Sequence, residues 1–100
     1  MNIKLVRLST GEDLLGDVTI NENHDVVLEN PCMVYVRPNQ NNSGASVGIT
    51  KWMPYAANKE FTIDASFVVT LADPAEDLKN EYNKIFGSGI VVAPAGLKVN

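Results

Sequence analysis

The hundred residues include one cysteine, one histidine and one tryptophan. A lone Cys32 closes no intrachain disulfide, and with His24 it falls short of a structural zinc ligand set. Such cysteine usage suits a reducing compartment, so a cytoplasmic protein is expected. Basic residues are also scarce: eight Lys and Arg stand against twelve Asp and Glu, for a formal charge of −4. That balance excludes a generic polyanion binder, and any nucleic-acid contact must come from a local site. No apolar run approaches the ~20 residues of a membrane span. Lys4, Arg7, Glu12 and Asp13 charge the amino-terminal stretch, which excludes a signal-peptide core there. A soluble chain with no membrane partner is the expectation.

Catalytic constellations are missing too. Nothing in the sequence ties His24 to Cys32 or to a serine as a nucleophile pair. Gly87-Ser88-Gly89 follows a predicted helix rather than a strand, so it reads as a helix stop and not as a phosphate loop. Glu22, Asp25 and Glu29 lack calcium-loop spacing and read as solvated turn residues. The expectation is a non-enzyme with no cofactor and no metal. No internal repeat or low-complexity segment is present.

What remains is a succession of short β-branched runs separated by turn residues, in a length that makes one domain with a small core. Ile3 to Leu8 forms a first strand, Ser9 to Glu12 a turn, Leu14 to Ile20 a second strand, and Asn21 to Asp25 a second turn. Gly11 stands where a short hairpin loop needs positive φ, and Gly16, inside a strand, marks a sharp bend. Val26 to Arg37 is one bent strand in which Pro31 marks a bulge, an edge or a break. The polar stretch from Asn39 leads to a further strand, Val47 to Tyr55. Phe61 to Leu71 holds two apolar runs around Asp64-Ala65-Ser66. Asp73-Pro74-Ala75-Glu76 is a helix start, with Ala75, Leu78, Tyr82 and Ile85 sharing one face up to Phe86. For residues 88–100, an added strand and a loose end are both open.

The run Val6-Arg7-Leu8, Gly11, Leu14, Gly16 and Val18, then a polar turn and Val26 to Glu29, resembles the first motif of the Sm and Sm-like family. Phe61 to Leu71 resembles its second motif, and Trp52-Met53-Pro54-Tyr55 with the short strand after it resembles a phage-encoded branch. The resemblance implies a mainly β fold, a small five-stranded, strongly bent antiparallel barrel over residues 1–72. A hairpin extension at about 36–58 and a carboxy-terminal helix over 73–87 complete it, where most of the family carries its helix before the first strand.

It also implies a homo-oligomeric ring of about five to seven subunits closed by sheet pairing. Phe61, Ile63, Phe67, Val68 and Val69 are then the candidate interface. Single-stranded RNA is the implied ligand. By position Asn23, His24 and Asp25 are candidate base contacts, with Asp64 at the second turn, and imidazole, amide and carboxylate suit stacking and edge recognition. The alternative is that these are ordinary turn residues. Asp64-Ala65 stands where the family has Arg-Gly or Lys-His, which removes a strong phosphate contact and implies an altered uridine site. A structural or protein-binding ring, in phage assembly or host takeover, is the second reading. Trp52 and Tyr55 are its candidate partner platform, with packing as their alternative role. If the protein is phage-encoded, its compartment is the host cytoplasm.

Overall fold

The structure is a computed structural model that describes residues 1–38 and 44–86. The polar loop tip, the Gly87 stop, the Gly87-Ser88-Gly89 stretch and the tail 88–100 therefore lie outside the described residues. Six antiparallel strands, a short 3-10 turn and one helix follow in order: β1 Ile3–Leu8, β2 Asp13–Ile20, β3 Val26–Pro38, β4 Ala45–Lys51, β5 Glu60–Ile63, the turn Ala65–Phe67, β6 Val68–Ala72 and α1 Glu76–Phe86. The strands run β4-β3-β2-β1-β6 across the sheet, and β5 pairs with the other half of β3.

The bend of the sheet has a local cause. Leu15 pairs with Cys32 but Asp17 pairs with Glu29, so β3 carries one residue more than β2 between these points. Asn30, at φ +52, and Pro31 form that bulge opposite Gly16. A Cβ on Gly16 would lie 2.9 Å from Leu28 Cδ2 and 3.2 Å from the Glu29 carbonyl oxygen, so only glycine lets the strands close so tightly. The extra residue also exchanges the two faces of β3. Before it, Val26 and Leu28 join Val6, Leu8, Leu14, Val18 and Ile63 in the barrel interior. After it, Cys32 joins Ile3 and Leu15 on the opposite face. Alternation within each strand thus gives the sheet two apolar faces.

The helix covers the second face. Tyr82, fully buried, packs against Ile3, Leu15 and Cys32, with Leu78 and Phe86 beside it. Spaced four residues apart, Leu78, Tyr82 and Phe86 form one stripe. Ile85, expected on that stripe, is instead 52% exposed, and Ala75 is also exposed. Asp73 stands outside the cap position too, since the helix starts at Glu76, and its carboxylate pairs with the Lys4 ammonium. The helix begins two residues later than Pro74, with Lys79 N–H bonding to the Ala75 carbonyl at 3.0 Å.

The fourth expected strand is divided. The expected Val47 to Tyr55 strand ends at Lys51, and residues 52–59 leave the sheet before β5 resumes pairing with β3. Both roots of this excursion are fixed at the bulge: Trp52 N–H donates to the Pro31 carbonyl at 3.1 Å, and Asn30 N–H donates to the Lys59 carbonyl at 2.7 Å. Together β4 and β5 are the two halves of one bent strand, each paired with half of β3.

Burial pushes the Cys32 thiol from its ordinary 9.0 up to about 11. Iodoacetamide at pH 8 should therefore alkylate the native protein far more slowly than the urea-unfolded chain, because the thiolate is the nucleophile and the folded state withholds it. The folded value is raised, so this contribution to stability is complete below about pH 9 and is lost as pH rises towards 11. Equal alkylation rates with and without urea would show the thiol to be open.

Candidate nucleic-acid interface

Asn21 builds the turn between β2 and β3. Its Oδ1 accepts the N–H groups of Asn23 at 2.9 Å and Asp25 at 3.0 Å. Its own N–H donates to the Asp25 carbonyl at 3.1 Å, and its carbonyl accepts from His24 N–H at 3.0 Å. An asparagine that bonds its own backbone two residues on is a standard turn former. The loop so closed holds His24 at φ +67, in the left-handed region, with the side chains of Asn23 and His24 exposed. Asn23, His24 and Asp25, the candidate residues of the sequence, all lie in this turn, and Asn21, which was not among them, closes it.

The second turn starts at Asp64. Its Oδ1 accepts from Ser66 N–H and Ser66 Oγ, both at 2.8 Å, and its carbonyl accepts from Phe67 N–H at 3.0 Å. The Ser66 amide, and then its hydroxyl, hold the Asp64 carboxyl below the usual carboxylate range. An exposed anionic group therefore stands in this turn at neutral pH.

One hydrogen bond joins the two turns. Ala65 N–H donates to Asp25 Oδ1 at 3.1 Å, across forty residues of sequence. Asp25 thus fastens the second turn beside the first, with His24 next to it in the chain. The β2–β3 turn and the β5–β6 turn are thereby brought side by side at one end of the bent barrel. The model of the Sm-like domain matches residues 5–83. The chain belongs to the Sm-like family. Among curated proteins, no match is found.

The Sm-like match begins in β1 and ends in α1, so it takes in both turns and the divided strand. On the candidate subunit surfaces, the side chains sort into two groups. Ile63 lies in the interior of its own barrel, and Val68 is packed half-buried against that interior. Phe61 is half-buried, edge-on to Trp52 with ring centroids 5.7 Å apart. Of the five residues expected there, only Phe67 and Val69 leave large apolar surface open, and Leu71, which sequence reasoning omitted, joins them. Alternation along β6 is the signal that finds it.

Trp52 and Tyr55 likewise part company. The Trp52 indole N–H donates to Glu12 Oε2 at 2.9 Å and its ring packs on the barrel interior, so this residue ties the excursion to the β1–β2 turn. Tyr55 is 100% exposed. Among the described residues, no group of three His, Cys, Asp or Glu side chains is placed to hold a metal ion, and no helix is long and apolar enough to cross a membrane.

Proposed function

We propose that this Sm-like protein assembles into a homo-oligomeric ring of about five to seven copies and holds single-stranded RNA at its paired turns, without catalysing a reaction. His24 stacks on a base, while Asn23 and Asp25 contact base edges. The observation that carries this reading is the 3.1 Å bond between Ala65 N–H and Asp25 Oδ1, which makes one surface of two distant turns and leaves His24 exposed on it. For assembly, the support is in the sheet: within the protomer β5 pairs only with β3 and β6 only with β1, so each has an open edge among the described residues. A neighbour's β6 laid along β5 satisfies both edges and covers Phe67, Val69 and Leu71.

A second reading, a ring that binds protein and not RNA, is favoured by one observation. The Asp64 carboxylate, kept ionised by Ser66, repels phosphate where a cation would attract it. Fully exposed Tyr55 then offers the partner contact.

Native mass spectrometry with and without oligouridine and oligoadenine separates these readings. A closed ring retaining RNA, with affinity reduced about fivefold or more in His24→Ala, is the expected result, since a base stacked on a ring contributes about 1–3 kcal/mol. A ring that stays bare transfers the function to protein binding. A monomer at micromolar concentration overturns the assembly.

A further inference from the structure

The excursion over residues 52–59 does more than interrupt a strand. Its first hydrogen bond goes to Pro31 and its last to Asn30, so two adjacent residues of β3 clamp both roots. The residues at those roots are Lys51 and Lys59, eight apart in sequence and brought to the same cleft. This cleft, about 320 Å³, lies between the excursion and the carboxy-terminal end of α1, within the size range of small-ligand sites. Phe61, Phe86, Met53 and Pro31 supply its apolar wall, and Asn58 adds an amide.

Charge sets this cleft apart. Lys4, Arg7 and Lys84 are paired with Asp73, Asp13 and Glu81, and Arg37 lies over the Tyr35 ring. Among the described residues neither Lys51 nor Lys59 lies within ion-pair distance of a carboxylate. Among the described residues no Asp or Glu lines the cleft, on a chain that carries twelve of them. Two further clefts of comparable size each contain carboxylates, Glu12 and Asp64 in one, Asp77 and Glu81 in the other. Two unopposed ammonium groups beside an apolar wall match a ligand with an anionic end and a flat apolar body.

We propose that this cleft is a nucleotide site, separate from the paired turns, in which Lys51 and Lys59 hold a phosphate and the base lies against the Phe61 and Phe86 side of the wall. Lysine is a point-charge phosphate binder that needs no fixed fork geometry, and an aromatic wall accepts any base. The nucleotide comes either free or as one unit of an RNA strand, and the chemistry of recognition is common to both.

The test is titration of the isotope-labelled full chain, followed by amide NMR, with inorganic phosphate, AMP and hexa-adenylate. AMP or hexa-adenylate should shift the resonances of Lys51, Lys59 and Phe61, with phosphate alone at least tenfold weaker. Response to AMP identifies a free nucleotide as sufficient, and response to hexa-adenylate alone identifies the strand. Lys51→Gln and Lys59→Gln should each weaken binding about fivefold, and each should lower the salt slope of strand binding by about 0.7. Both lysines are exposed, so the variants should keep the wild-type amide spectrum away from the cleft. His24→Ala should leave cleft binding unchanged, which keeps this site's failure distinct from failure at the turns. The proposal is overturned if neither nucleotide moves the cleft resonances, or if the double lysine variant binds like wild type.

Discussion

Tyr82→Ala should lower the stability of the protein by about 3–5 kcal/mol, the cost of deleting a buried aromatic ring. Tyr82 is the one fully buried residue of α1, and it connects the helix to both the Cys32 face and, through its hydroxyl, the bulge. Its ring packs 5.0 Å from the ring of Phe86. Its hydroxyl lies 3.1 Å from the Glu29 carbonyl and 3.0 Å from that of Asn30, and shares its single hydrogen between them. Burial accordingly pushes the phenol well above its ordinary value. An eleven-residue helix is marginal in isolation, so loss of this anchor should also release α1 from the sheet. Tyr82→Phe keeps the ring and strands the carbonyls, at about 1–3 kcal/mol. Urea unfolding at one fixed protein concentration, with amide exchange across α1, reads both effects. A Tyr82→Ala variant within 1 kcal/mol of wild type, or about as stable as Tyr82→Phe, would sink this account of how the helix is held.

The second large effect is at Gly16. Gly16→Ala should cost about 1–3 kcal/mol, and Gly16→Val more, because added carbon meets atoms of two kinds. The Leu28 methyl at 2.9 Å can rotate away, but the Glu29 carbonyl oxygen at 3.2 Å belongs to the paired backbone and yields only if the sheet opens. Both variants should lose protection of the β2–β3 amides first. An alanine variant as stable as wild type would mean that the strands are not held at this spacing.

These two positions also show what the sequence discloses and what it withholds. The fold was legible where one residue's own backbone decides the matter. Gly11 is at φ +98 as its turn position requires, Gly16 sits at the bend, and Pro31 marks the bulge. Its limits appear where a second surface decides. Ile85 and Phe86 both fit a 3.6-residue period with Leu78 and Tyr82, and only the apolar row of Ile3, Leu15 and Cys32 selects Phe86. The expected strand runs to Tyr55 across Pro54, which has no N–H for a ladder, and β3 turns at the bulge and withdraws the partner that a longer strand would need. At the candidate site the turn residues were legible by motif spacing. The Asp25 to Ala65 bond was not, because it joins positions forty apart. The pairing of Lys51 and Lys59 was not legible either: they stand eight positions apart in sequence, and the clamp at Asn30 and Pro31 brings them together.

That clamp has a consequence for how the protein can be altered. Because both roots of residues 52–59 are fixed by hydrogen bonds to adjacent residues of β3, the register of β4 and β5 does not depend on the length of chain between them. Extra residues spliced in near exposed Tyr55 lengthen a loop whose ends are already joined, and each doubling of a flexible loop adds only about 0.6 kcal/mol of closure entropy. The barrel therefore has a graft point, where an epitope or a small folded module can be carried without disturbing the strands that frame it.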